Sequence, residues 1–203
     1  STNPIIYENV MKTIESIQQM AFDLNVKEMA YIEPKDNKLF CGLINQGATC
    51  YMNSLIQQFV MNKELCEDVI LSKETKESLL NTQISIHHQL KLLFANLLFS
   101  NLKAVSTKPL TSITNDLTGQ PIQTNVQMDV QEYFNLLLLH LESYFPKEKY
   151  NPFINHFHFK IQSNFICKDC PHKSSSEEVY NALNLKVKDQ HTLESSIESF
   201  FKE

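Results

Sequence analysis

Apolar and polar residues alternate along this chain with a helical rhythm in its first two thirds. Ile6, Val10, Ile14, Ile17, Ala21 and Leu24 recur every three or four positions, with Lys12, Glu15 and Gln18 between them, which predicts a helix over 5–30. Glu33-Pro34-Lys35-Asp36-Asn37-Lys38 then reads as a polar linker. Residues 39–49 look irregular. A helix is predicted from Cys50 to Met61, burying Leu55, Ile56, Phe59 and Val60, with Thr49 as its N-cap. A second strong stripe, Ile86, Leu90, Leu93, Phe94, Leu97 and Leu98, predicts a helix over 79–101. The Thr-, Asn-, Gln- and Pro-rich stretch 102–127 reads as loop. Asp129 is placed to cap a helix over Val130–Phe145, apolar at Phe134, Leu137, Leu138 and Leu141 and ended by Pro146.

Beyond Pro146 the period shortens. His156-Phe157-His158-Phe159-Lys160-Ile161 alternates as a half-buried strand does, and so does Ala182–Val187. Thr192–Phe201 returns to helical spacing. Helices first and strands later predict an α+β fold. The expected organisation is a helical segment and linker over 1–38, a mainly helical portion over 39–146, and a strand-containing portion over 147–203 that reads as cut short.

Composition narrows the function. All 18 basic residues are Lys and the net charge is −5. With no Arg and no basic run, nothing suggests nucleic-acid binding. No apolar run approaches the roughly 20 residues of a membrane helix. Five Cys at low density point to a reducing compartment, cytoplasmic or nuclear, rather than a disulfide scaffold. The chain holds three Gly, and Gly42 and Gly47 both lie within nine residues of Cys50. A sequence so poor in Gly places it where backbone freedom is needed.

Cys50 follows that Gly-containing turn and opens a predicted helix. The positive end of the helix dipole and its free N–H groups stabilise negative charge on such a sulfur, and the thiolate is the nucleophile. Asn45, five residues earlier, carries an amide able to donate to an oxyanion. A small buried hydrophobe is the alternative account of Cys50. Cys41 and Cys66 have no activating context. Cys167 and Cys170 have the spacing of half a zinc ribbon. His156, His158 and His172 are near enough in sequence to complete a metal site, but His156 and His158 read more simply as outward positions of a strand and His172 as a turn residue.

Gly42-Leu43-Ile44-Asn45-Gln46-Gly47-Ala48-Thr49-Cys50-Tyr51-Met52-Asn53-Ser54-Leu55-Ile56-Gln57 resembles the cysteine box of the ubiquitin-specific proteases, G-L-x-N-x-G-x-T-C-Y-x-N-S-x-x-Q, at every fixed position. Gln127–Phe134 resembles that family's Q-Q-D-A-x-E-F segment. Cys167–Cys170, with Ser175, Glu178, Leu183 and Leu185, resembles the start of its fingers and palm. The CPHK run and the tail look most like the very large members of the fat-facets type.

The resemblance implies a papain-like thumb, palm and fingers fold and thiol hydrolysis of the bond after ubiquitin's C-terminal glycine. It implies Cys50 as nucleophile and Asn45 as oxyanion donor. Asp129, with Glu132 in support, would face ubiquitin's basic tail, and Cys167 and Cys170 would be zinc ligands. The family's catalytic His lies far toward the C-terminus in a Gly- and Tyr-containing setting. None of the seven His here has that setting. The chain is therefore expected to be the N-terminal part of a catalytic domain, inactive alone. The alternative is a non-catalytic ubiquitin-binding module of the same fold.

Overall fold

The computed structural model describes residues 40–72, 85–100, 102–144 and 151–202. The helix predicted over 5–30, the linker over 33–38 and the stop at Pro146 lie outside the described residues.

The chain runs β1 (Gly42–Ile44), α1 (Cys50–Met61), α2 (Lys63–Leu71), α3 (Ile86–Phe99), β2 (Ala104–Ser106), α4 (Lys108–Thr111), α5 (Val130–Tyr144), α6 (Pro152–Phe157), β3 (Phe159–Ile166), β4 (Lys173–Tyr180) and α7 (Leu193–Lys202). It forms two compact units that divide between Phe153 and Ile154.

The first unit is built on α1, α3 and α5. Helix α1 packs against α2, α3 and α5, and α3 packs against α2, α4, α5 and β2. The three predicted stripes form the core: Ile56 and Phe59 from α1, Leu90, Leu93, Phe94 and Leu97 from α3, and Phe134, Leu137, Leu138 and Leu141 from α5 are all buried. Leu55, Val60 and Ile86 are half-buried, and Leu98 is exposed. Ring contacts lock the helices together. Phe59 lies 5.8 Å from Phe134 and 5.6 Å from Phe153, and Tyr51 meets Tyr133 edge-on at 5.4 Å.

Helix α3 is buried nearly all round, and its polar residues are bonded accordingly. The Lys91 ammonium donates to Ser72 O at 2.7 Å, at the carbonyl end of α2, and Asn96 Nδ2 donates to Leu92 O at 2.9 Å. Asn62 separates α1 from α2. Its side chain accepts from Leu65 N at 3.1 Å and so caps the second helix.

Two parts of the first unit that read as irregular carry short elements. β1 and β2 pair in parallel, Gly42 opposite Ala104 and Ile44 opposite Ser106. Three residues are too few to show an alternation. Helix α4 adds one turn straight after β2, with Pro109 near its start.

The second unit holds an antiparallel hairpin and α7. β3 and β4 pair from Phe159 opposite Tyr180 to Ile166 opposite Lys173, and Cys167 N donates to His172 O across the turn at 3.1 Å. The strand predicted over 156–161 begins only at Phe159. His156 and Phe157 belong to α6, whose first turn Asn151 caps through Phe153 N at 3.0 Å. Strand β4, reading KSSSEEVY, was not predicted. Almost all of it is solvent-exposed, so no apolar alternation betrays it. Residues 182–187 alternate in sequence and yet form no strand. Helix α7 begins where predicted, with Thr192 Oγ1 accepting from Ser195 N at 3.2 Å.

Truncation on the two faces of α5 separates the core from the surface. Leu137→Ala, at a fully buried position, is expected to lower unfolding free energy by about 2–5 kcal/mol. Leu139→Ala, at an exposed position of the same helix, should change it by no more than about 0.5 kcal/mol. Urea denaturation of the two variants beside wild type checks the contrast.

Candidate active site

The site is a loop hung between β1 and α1. β1 ends at Ile44, the chain turns through Asn45–Thr49, and α1 starts at Cys50. Gly47 makes the turn possible. Its φ is +120°, and a Cβ there would meet Thr124 O at 3.3 Å. The next residue uses that same carbonyl, with Ala48 N donating to Thr124 O at 2.7 Å.

The Asn45 side chain organises the inside of the loop. Its Oδ1 accepts from Gly47 N, Thr49 N and Thr49 Oγ1, each at 3.1 Å. Three donors fix the plane of the carboxamide. Among the described residues its Nδ2 makes no hydrogen bond.

Thr49 stands at the N-cap position without capping α1. Its hydroxyl is engaged upstream, donating to Asn45 Oδ1 and accepting from Gln46 N at 3.0 Å. The expected side-chain cap is therefore absent. The helix starts with no capping side chain over its first N–H groups, beside an exposed Cys50. Ser54 Oγ donates to Cys50 O at 2.8 Å, a local bond one turn along.

Two further amides join α1 to β1. Asn53 Nδ2 reaches Ile44 O at 3.4 Å, and Gln57 Nε2 reaches Cys41 O at 3.1 Å. Gln46 was not singled out from the sequence. Its Nε2 donates to Thr107 Oγ1 at 2.7 Å, and its Oε1 accepts from Thr111 Oγ1 at 3.1 Å. Only the sequence separations of 61 and 65 residues, invisible to periodicity, bring these groups together.

The remaining cysteines differ in kind. Cys41 and Cys66 are buried. Burial, and then the nearby Glu67 charge, push the Cys66 thiol up to about 12. Its Sγ donates to the carbonyls of Phe59 and Val60 at the end of α1. Beneath Cys50, burial and then the Cys50 charge raise the Tyr51 phenol above its ordinary value. Burial and then Tyr51 do the same for Tyr133.

Asp129 caps α5 as the sequence suggested. Its Oδ1 accepts from Gln131 N at 2.8 Å and from Glu132 N at 3.2 Å. Both Asp129 and Glu132 are exposed at the head of that helix.

In the second unit, Cys167 and Cys170 are exposed at the hairpin turn. The Asp169 backbone N–H, then the Cys170 thiol and its backbone N–H, lower the Cys167 thiol below its ordinary value. Among the described residues no three His, Cys, Asp or Glu side chains gather closely enough to hold a metal. His156 sits in α6, a position set by that helix rather than by a strand.

The histidines of the first unit have other partners. His87 Nε2 shares a hydrogen bond with Ser72 Oγ at 2.7 Å, and His140 Nε2 does so with Asn115 O at 2.7 Å. His88 is buried within α3.

Comparison with known proteins places this geometry in a lineage. The profile of a family described as ubiquitin carboxyl-terminal hydrolase matches residues 41–200. The chain is 30% identical over 205 residues to human ubiquitin carboxyl-terminal hydrolase 24, covering 99% of this chain and 8% of that protein. It is 31% identical over 159 residues to human ubiquitin carboxyl-terminal hydrolase 34, covering 78% of this chain and 4% of that protein. It is also 32% identical over 164 residues to ubiquitin carboxyl-terminal hydrolase 5 of Schizosaccharomyces pombe, covering 80% and 14%. The chain thus spans a small fraction of the length of the relatives it matches. Its α+β architecture agrees with the papain-like fold of that family, and the match extends over the loop, the helix it starts and the hairpin beyond. The chain belongs to the ubiquitin carboxyl-terminal hydrolase family.

Proposed function

We propose that this chain is the nucleophile-bearing part of a cysteine-type deubiquitinase that cleaves the bond after the C-terminal glycine of ubiquitin. The observation that carries the reading is an exposed Cys50 at the first residue of α1, five residues after an amide whose oxygen is held by three donors.

In this reading the Cys50 sulfur attacks the carbonyl carbon of ubiquitin's terminal glycine, and the carbonyl oxygen becomes an oxyanion. The Asn45 Nδ2 group donates to that oxygen, and because its carboxamide is held by the loop, little reorganisation is needed at the moment of reaction. The amine leaves with a proton, a thioester joins Cys50 to ubiquitin, and water hydrolyses it. A base must take the thiol proton and return it to the amine. We assign that role to a histidine of the longer protein, since none of the seven His here stands in the Gly- and Tyr-containing setting of the family's base. On this account the 203 residues alone turn over ubiquitin substrates negligibly.

Asp129 and Glu132 are proposed to receive ubiquitin's basic tail. Only Oδ1 of Asp129 is used in capping α5, which leaves the carboxylate's second oxygen for a substrate cation. Cys167 and Cys170 are proposed as two ligands of a structural zinc ion whose other ligands come from outside the described residues. Zinc there would fix the hairpin turn and takes no part in the thiol chemistry. Ubiquitin and ubiquitinated proteins are the proposed partners, met in the cytoplasm or nucleus.

The test is hydrolysis of ubiquitin carrying a C-terminal fluorogenic amide by the full-length protein. Cys50→Ala should abolish turnover. Asn45→Ala should lower kcat by about a hundred- to a thousand-fold with KM little changed, as loss of one oxyanion donor does. Equal rates for Asn45→Ala and wild type would remove Asn45 from the mechanism.

Asp129→Asn retains a capping oxygen and deletes the charge. It should therefore raise KM for ubiquitin substrates more than it lowers kcat, with little change in melting temperature. An unchanged KM would leave Asp129 as a helix cap only.

Metal analysis of the full-length protein should find zinc, and Cys167→Ser with Cys170→Ser should remove one equivalent. A metal-free protein would contradict the zinc assignment.

A further inference from the structure

We infer that Gln46 is a positioning residue for the oxyanion-binding amide, acting through hydrogen bonds to the buried hydroxyls of Thr107 and Thr111; this rests on the protease reading above. The bonds to Asn45 Oδ1 all come from residues 47 and 49. They fix the amide within its own loop, and the loop is held to the rest of the molecule on one side by Ala48 N donating to Thr124 O at 2.7 Å. The other side, next to Asn45, needs its own attachment.

The parallel β1–β2 ladder supplies it only as far as Ile44 opposite Ser106. There the sheet ends and the loop departs. Gln46 extends the attachment by two residues through its side chain. Its Nε2 donates to Thr107 Oγ1 at 2.7 Å, and the single Thr111 hydroxyl proton is shared between its Oε1 and Lys108 O, each at 3.1 Å. Thr107 directly follows β2, and Thr111 ends α4, so the short helix after the strand serves as the anchor. Thr107 and Thr111 are 1% and 3% exposed and Gln46 is half-buried, so both bonds are shielded from water on the threonine side. The Gln46 backbone N–H is tied as well, to the Thr49 hydroxyl that itself donates to Asn45 Oδ1. The chain of contacts therefore runs from the α4 threonines through Gln46 and Thr49 to the donor amide.

The ubiquitin-protease box leaves position 46 variable, so the family pattern assigns it nothing. The physical expectation is specific. Loosening Gln46 lets the Asn45 amide wander by a fraction of an ångström, which weakens a bond that matters only when the oxyanion forms. It leaves ubiquitin binding and the sulfur itself as they were.

The experiment uses full-length protein, with wild type and Cys50→Ala as references. Gln46→Ala should lower kcat on the order of ten-fold with KM unchanged. Alkylation of Cys50 by iodoacetamide, followed by mass spectrometry, should proceed at the wild-type rate, because displacement at a saturated carbon develops no oxyanion. Thr111→Val, which leaves the Thr107 bond in place, should lose part of the kcat that Gln46→Ala loses, whereas Thr111→Ser, which keeps the hydroxyl, should retain most of it. The double variant Gln46→Ala/Thr111→Val should be no worse than Gln46→Ala alone, since Gln46→Ala already cuts the bond to Thr111.

Wild-type kcat in Gln46→Ala would overturn the inference and leave the protease reading standing. A parallel fall in alkylation, or a change confined to KM, would overturn it too, by moving the effect to the nucleophile or to binding. Should Gln46→Ala fail to fold, the Thr111→Val and Thr111→Ser pair decides alone, and equal rates for the two would overturn it. Absence of Cys50-dependent turnover in wild type would overturn the protease reading and this inference together.

Discussion

At Gly47 the backbone adopts a φ of +120° with the carbonyl of Thr124 pressed against the space a side chain would need. Everything at the candidate site follows from that passage. The turn lets the chain leave a three-residue strand and enter α1 within five residues. It brings Ala48 N onto the same Thr124 carbonyl and folds Gly47 N and Thr49 N back onto Asn45 Oδ1. A residue with a side chain at this position meets both a backbone conformation L residues rarely adopt and a close backbone contact. In a chain with three glycines, one is committed here.

The consequence is a separation of labour between carboxamides and thiols. Gln46, Asn53 and Gln57 bond into the seam between β1, α1 and the segment after β2, and Asn45 bonds within the loop itself. With Thr49 they hold the loop rigidly, while the helix head is left without a side-chain cap. Cys50 stands there in solvent. Sixteen positions on, Cys66 shows what the same side chain becomes in the core, its thiol pushed up to about 12 and donating to carbonyls. The two thiols share a residue type and differ in surroundings, one exposed and one buried.

Much of this could be read from the residues. The stripes on α1, α3 and α5 stand out because one face of each helix meets a shared core, and Asp129 announces the start of α5 with the side chain that caps it. The cysteine box marks in sequence the loop and the exposed Cys50 at the head of α1.

What escaped was set by distance or by solvent. β1 and β2 are three residues each and depend on each other across some sixty positions. β4 is exposed along nearly all its length, so hydrogen bonding to β3 alone makes it a strand, and polar serines carry no trace of that. The alternation at 182–187 had the right period and no partner strand, so it stayed irregular. Thr49 looks like a cap by position, but its hydroxyl has better company upstream. Gln46 sits in plain view of the motif and takes its meaning from two threonines that local sequence reads as loop.

The central claim is that one exposed sulfur at the head of α1 is aimed at the ubiquitin C-terminus. Incubating the full-length protein with ubiquitin bearing a C-terminal electrophile, then mapping the adduct by mass spectrometry, tests it most directly. The account predicts one covalent ubiquitin, attached at Cys50 and absent from Cys41, Cys66, Cys167 and Cys170. Failure of Cys50 to form the adduct, or attachment at another of the five cysteines, would contradict it.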